Sequence, residues 1–232
     1  MPNDTPCGMV EFFDDFLGDT LNTDSWLGTA STGGTVQINT TTYDVDGVVE
    51  LTTDANDGDA AQLGGGLQWR GQDGMCGVEW RFQTDVITTI GVFNGFSDAQ
   101  SETDLIPMTL STTTFTTTAT DAIGLLFDTD ATNDDWHAMW VDGDADTSTA
   151  IADLRFTGAA WVAATYYTFR TELADAGSGN QVIAQLRLTT DGGRVYAKRF
   201  TSPVDRDQLF LPYIGPENHG AFAHVTSVDY CH

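Results

Sequence analysis

Apolar and polar residues alternate with a period of two through most of this chain, and no segment longer than a turn or two carries a helical apolar period. The clearest unit runs from Tyr166 to Ser202. There Tyr167, Phe169, Thr171 and Leu173 fall on one face, with Arg170 and Glu172 on the other. A turn over residues 176–180 follows, then a second strand with Val182, Ala184, Leu186 and Leu188 on one side and Gln185 and Arg187 opposite. Thr190-Asp191-Gly192-Gly193 supplies residues that tolerate positive φ, and Val195 to Phe200 returns as a third strand, which predicts a three-stranded antiparallel meander.

The same pattern predicts strands over Met9–Phe13, Val45–Leu51, Met75–Phe82, Ile87–Phe93, Ala122–Phe127, Trp136–Val141, Leu209–Ile214 and Ala221–Tyr230. Ten or more short strands separated by Gly, Asp, Asn and Thr turns indicate an all-β, two-sheet antiparallel sandwich. No repeat and no Pro-rich or Ser-rich linker divides the chain, so it reads as one domain over residues 1–232. The threonine tract at 112–118 reads as a strand edge or a long surface loop.

Composition narrows the partners. The chain has 232 residues, 34 acidic against 9 basic, for a formal charge of -25. Such a field repels phosphate backbones and anionic headgroups, so neither nucleic acid nor a membrane is expected as a partner. Lys198 is the sole lysine, and acidic excess with scarce lysine suits a surface exposed to salt. The start, MPNDTPCGMVEFFDD, has no basic n-region and no apolar h-region, so no standard export signal is expected. Cys7, Cys76 and Cys231 lack metal-ligand spacing and read as reduced, buried thiols, although paired terminal strands would bring Cys7 and Cys231 close.

The two ends of the chain carry a more specific pattern. Glu11-Phe12-Phe13-Asp14-Asp15-Phe16, followed by Leu21-Asn22-Thr23-Asp24-Ser25-Trp26, resembles the opening signature of the concanavalin A-like lectin and glucanase jelly rolls. Leu211 to Asn218 and Val228-Asp229-Tyr230 resemble that family's last two strands, and Ala122 to Asp128 fits its middle. The resemblance implies a concanavalin A-like jelly roll. A lone domain of this kind is most similar to structural proteins of tailed-bacteriophage virions. It therefore implies a non-enzymatic capsid decoration or head-fibre subunit, made in the host cytoplasm, homo-oligomeric, and in contact with partners such as the major capsid protein. The alternative it implies is a lectin-like module that recognises a host glycan, with or without calcium.

Catalytic patterns are missing. Glucanases of this fold set carboxylates at alternate positions of one strand, as Glu-x-Asp-x-Glu, to aim them into one cleft. The nearest counterparts, Asp44-x-Asp46 and Asp142-x-Asp144-x-Asp146, lie among turn residues. Gly95-Phe96-Ser97-Asp98-Ala99 imitates a nucleophile elbow, but no helix-forming segment follows Ser97. His137, His219, His224 and His232 show no zinc spacing, and His224 reads as a core group. Calcium is the one ion to weigh. Asp142, Asp144, Asp146 and Ser148 have the odd-position spacing of a calcium loop, but Thr147 stands where Gly is required and Asp153 where Glu is. The Asp54–Asp59 turn has the composition without the register, and solvated turns are the competing reading of both. For a sugar-stacking platform the candidates are Trp69, Trp136 and Trp161, which stand beside turn-like segments, whereas Trp80 reads as core. The sequons at Asn3 and Asn39 have no glycosylation context without secretion.

Overall fold

The computed structural model describes residues 12–39, 47–66, 68–100, 106–143 and 154–232. Fifteen strands appear among them: β1 (Trp26–Ala30), β2 (Thr35–Ile38), β3 (Val49–Thr52), β4 (Ala61–Gly65), β5 (Cys76–Thr84), β6 (Ile90–Ser97), β7 (Met108–Ser111), β8 (Thr114–Thr117), β9 (Ala122–Asp128), β10 (His137–Val141), β11 (Tyr167–Asp175), β12 (Gln181–Thr189), β13 (Val195–Asp205), β14 (Leu211–Asn218) and β15 (Val225–Cys231). One sheet has six strands in the order β1-β4-β14-β6-β9-β10, the other seven in the order β13-β12-β11-β5-β15-β3-β2. All strand pairs are antiparallel, and β7 and β8 form a separate hairpin. This is the two-sheet sandwich expected from the alternation.

Alternation decides what each sheet buries. On β5, Val78, Trp80 and Phe82 point inward, and on β11 Tyr167, Phe169 and Leu173 do the same. They meet Ile123, Leu125 and Phe127 of β9 and Ile90, Val92 and Phe96 of β6 across the sandwich. The centre of this core is aromatic. Phe82 stacks on Phe169 with ring centroids 4.4 Å apart, and Trp136 packs on Phe169 at 4.4 Å and on Trp161 at 4.9 Å.

The six-stranded sheet is buried on its other face as well. Phe93, Ala122, Leu126, Met139 and Tyr213 turn away from the main core and pack under Met108, Leu110 and Phe115 of the hairpin. With both faces covered, β6 and β9 lose the polar half of their alternation and read as continuous apolar runs. Gly124 marks the tightness of the pairing, since a Cβ there would lie 2.1 Å from the Asn94 carbonyl oxygen.

Several expected boundaries shift. The strand predicted at Ile87–Phe93 begins at Ile90, and the one predicted from Ala221 begins at Val225, which leaves Phe222 in a loop and 75% exposed. The threonine tract supplies β8, whose Phe115 is buried over the six-stranded sheet. Ser97 ends β6 with its hydroxyl bonded to the Ala99 carbonyl at 2.7 Å. The expected strand at Met9–Phe13 lies mostly outside the described residues, and Asp14 forms an isolated bridge to Cys231. Cys7 also lies outside them, and with it any pairing to Cys231, whose buried thiol is pushed well above its usual range.

Candidate functional site

One end of the six-stranded sheet gathers the buried ionisable groups. Glu217 on β14 pairs with Gly91 on β6, and Gly91 pairs with Asp128 on β9, so the two carboxylates flank a glycine along one line across three strands. The absent side chain leaves room for a ring: a Cβ on Gly91 would meet Cε1 and Nε2 of His219 at 3.1 Å. His219 follows Glu217 by two residues, and its backbone N–H donates to the Thr89 carbonyl at 2.8 Å, which holds the loop over the sheet end.

The contacts of this cluster are specific. Asp128 is fully buried; its Oδ2 accepts the Leu110 N–H at 2.7 Å and its Oδ1 accepts the Asp130 N–H at 2.9 Å. Glu217 is 5% exposed and its Oε2 accepts the Ile106 N–H at 3.1 Å. His219 Nδ1 stands 3.2 Å from Asp128 Oδ1 and 3.7 Å from Asp130 Oδ2, with Nε2 3.7 Å from Glu217 Oε1. Nδ1 makes no aligned hydrogen bond, so its link to Asp128 is ionic. Burial works to lower the pKa of His219, but Asp128 and Glu217 override it and hold the imidazolium up to about 10. Burial raises the Glu217 carboxyl, which His219 and the Ile106 N–H pull back in part.

Asp128, Asp130 and His219 offer ligand atoms within 4.8 Å of one another, and Asp130 is exposed enough to give an ion access. Two carboxylates and one imidazole suit a first-row transition ion better than calcium, which prefers oxygen alone. Because His219 carries a proton in the ion-free arrangement, an incoming cation would have to displace it. His219 opens a loop that runs to His224, from which Phe222 projects into solvent. In the same loop His224 is buried, as expected of a core group, with Nε2 3.1 Å from the Thr89 carbonyl oxygen.

The residues singled out from the sequence fall elsewhere. Trp136 and Trp161 were expected beside turns with a face in solvent; the structure corrects this, since they are 0% and 4% exposed and belong to the aromatic core. Their flanks are turn-like, as the sequence suggested, but the indoles turn inward. Trp69 is half-buried, bonded through its backbone to Phe210. It lines a pocket of about 370 Å³ with Phe12, Met75, Arg170, Glu172 and Pro212. This pocket sits by the first residues of β14, at the opposite end of that strand from Glu217. Asp142 lies next to Val141, which pairs with Ala122 at the far end of β9 from Asp128, and burial raises its carboxyl and that of Asp121. Asp144 and Asp146 lie outside the described residues, as do Asp44 and Asp46. In the Asp54–Asp59 turn the carboxylates accept hydrogen bonds from Ala55 N–H and the Asn56 amide, as a solvated turn would.

No protein family matches the sequence, and no curated protein does either. Solved structures do share its fold. A protein of unknown function from Shewanella oneidensis MR-1 superposes with a TM-score of 0.60 at 13% identity, over 94% of this chain and 83% of that one. The carbohydrate recognition domain of Emp47p gives 0.56 at 14% identity, over 94% and 91%. Peanut lectin in complex with a nine-residue peptide gives 0.53 at 13% identity, over 95% and 96%. At such identities the likeness defines the fold: the chain is a concanavalin A-like sandwich of the kind found in legume-type lectins and carbohydrate recognition domains.

Proposed function

We propose that this protein is a non-enzymatic carbohydrate-binding domain that reads a glycan at the sheet end built from Asp128, Asp130, Glu217 and His219. The observation that carries the reading is an exposed carboxylate, Asp130, facing a buried ion cluster, with an exposed aromatic, Phe222, three residues after His219 along the chain. Carboxylates accept hydrogen bonds from sugar hydroxyls, and aromatic faces pack on sugar C–H surfaces. Solved relatives of the fold described as carbohydrate recognition domains support it. So does the solution of the Emp46p domain in both potassium-bound and metal-free forms, which makes a cation at such a domain a natural companion. Glycosidase chemistry is disfavoured by geometry: Asp128 and Glu217 are buried and committed to backbone N–H groups, out of reach of a glycosidic oxygen.

The test is a glycan array probed with the purified chain, with chelator and then with manganese or calcium restored. Binding to a defined set of neutral glycans, weakened by Asp130→Ala and by Phe222→Ala, is the expected result. Absence of binding under every ionic condition, or binding indifferent to both substitutions, would refute the proposal.

The narrower setting is a tailed-phage virion, with the domain as a homo-oligomeric capsid decoration or head-fibre subunit on the major capsid protein. What suggests that setting is the likeness of a jelly roll of this kind to structural proteins of tailed-phage virions. Stoichiometric recovery in purified particles by mass spectrometry tests it.

A further inference from the structure

The pocket beside Trp69 lies at the other end of the sandwich from the ion cluster. Its Pro212 stands five residues before Glu217 on β14, about 17 Å along the strand. Both sheets build it. The six-stranded sheet supplies Trp26 at the start of β1, Gly65 at the end of β4 and Pro212, while the seven-stranded sheet supplies Cys76 to Val78 at the start of β5. The walls are aromatic and aliphatic: Phe12 packs on Trp26 with ring centroids 5.5 Å apart, Trp69 is half-buried, and Met75 is 75% exposed. The Trp26 indole N–H donates to Asp14 Oδ2 at 2.7 Å, so that residue offers the pocket ring surface alone. A volume of about 370 Å³ falls within the range of small-molecule clefts, about 300–1,000 Å³.

Charge narrows the occupant. Arg170 lines the pocket but is already engaged, with Nε and Nη2 donating to Glu172 Oε1 at 2.9 and 2.8 Å and Nη1 donating to Glu79 Oε2 at 3.5 Å. Asp24 is exposed and has no cationic side chain within 4.0 Å among the described residues. Three carboxylates, Asp24, Glu79 and Glu172, thus stand against one guanidinium, in a chain of charge -25. We propose that this pocket binds a hydrophobic organic cation, a small molecule with an aromatic or branched apolar body and a single ammonium group. An ammonium within about 6 Å of a ring centroid is attracted to the ring face, most strongly to that of tryptophan. Asp24 supplies the counter-charge. An anion of the same shape meets carboxylates without a free cation to offset them. A sugar is a poor occupant too, since its hydroxyls would be set against the side chains of Phe12, Val78 and Pro212, which offer no hydrogen-bond partner.

The test is a calorimetric titration of the full chain with phenethyltrimethylammonium, against phenethyl alcohol and 3-phenylpropionate as neutral and anionic counterparts. The expected result is binding of the cation, with the alcohol about tenfold weaker and the phenylpropionate weaker still. Trp69→Ala should weaken the cation about tenfold and Asp24→Asn about fivefold. Asp24 is exposed, so Asp24→Asn keeps the wild-type unfolding temperature and remains decisive if Trp69→Ala fails to fold. Cys76 lines the same pocket, and in a Cys7→Ser background its alkylation at about pH 9 should slow as the cation saturates. Asp130→Ala and Phe222→Ala should leave this binding unchanged, which separates it from the glycan reading. Equal or tighter binding of the alcohol or the phenylpropionate, no binding of the cation at millimolar concentration, Cys76 alkylation indifferent to it, or affinity untouched by the Asp24 and Trp69 substitutions overturns the assignment. A peptide carrying trimethyl-lysine that binds more tightly than the free cation overturns it in favour of a protein partner.

Discussion

Replacing Asp128 with alanine removes more from this protein than one charge. Its two oxygens accept the backbone N–H groups of Leu110 and Asp130 at 2.7 and 2.9 Å, and Oδ1 also faces the His219 imidazolium at 3.2 Å. The substitution strands a fully buried donor on the hairpin and leaves a positive ring with only the more distant Asp130 and Glu217. Breaking a buried charge pair from one side typically costs about 3–5 kcal/mol. We therefore expect Asp128→Ala to lose about 4 kcal/mol. With a urea m-value of about 2–3 kcal/mol/M, that lowers the unfolding midpoint by roughly 1.3–2 M. Asp128→Asn keeps the shape and one acceptor but turns an amide NH₂ toward the other donor, and should cost about 2 kcal/mol. The decisive measurement is a double-mutant cycle with His219→Gln under chelating conditions. Removing both partners should be less damaging than the sum of the single losses, with a coupling of about 1–3 kcal/mol. A loss under about 1 kcal/mol for Asp128→Ala, or strict additivity, would refute the role of Asp128 as the anchor of this end.

Other consequences are equally open to measurement. Gly124→Ala places a methyl 2.1 Å from the Asn94 carbonyl in a sheet covered on both faces, and should cost about 3 kcal/mol or more in thermal unfolding; an unchanged transition would contradict the β6–β9 pairing. Burial is the main cause that raises the Cys76 thiol to about 11, so its thiolate is scarce near neutrality. Alkylation of Cys76 in a Cys7→Ser background, followed by peptide mass spectrometry, should be slow at neutral pH and accelerate as pH climbs toward 11; rapid neutral labelling would contradict the burial. Trp161→Ala should cost about 3–5 kcal/mol by opening a hole among Phe82, Phe127 and Trp136, while glycan affinity per folded molecule stays the same. Trp69→Ala should cost less than half as much, and a loss as large as that of Trp161 would mean its indole is fully packed.

The meander was legible because its outer face is wet. Arg170, Glu172, Gln185 and Arg187 alternate with apolar neighbours, and the strands β11, β12 and β13 fall where the pattern placed them, around a turn with Gly193 at φ 76°. The six-stranded sheet was harder to read. Its strand β4, AQLGG, shows no alternation at all, since the sheet is packed by the main core on one side and carries two glycines where Gln100 and Pro212 press close. The same double coverage hid the direction of Trp136, whose aspartate neighbours look like a solvent turn although the indole is fully buried. The site was the least legible element. Glu217 and His219, two apart on β14 and its exit, share a face by period two, and that was the local signal available. Their meeting with Asp128 depends on the order β14-β6-β9, which no local pattern encodes.

That sheet order gives the ion cluster a second role. Asp128 and Glu217 accept the backbone N–H groups of Leu110 and Ile106, residues of the hairpin and its approach, while the same carboxylates face His219. The groups that shape the mouth near Asp130 are therefore those that fasten the cover over the six-stranded sheet. A proton on His219 balances both carboxylates, and a cation held by Asp128, Asp130 and His219 would have to replace that proton without releasing the N–H bonds. Since the bonds from Leu110 and Ile106 use Oδ2 and Oε2, whereas the histidine faces Oδ1 and Oε1, the two tasks are divided between the oxygens of each carboxylate. The hairpin can thus stay clasped while the charge beside Asp130 changes.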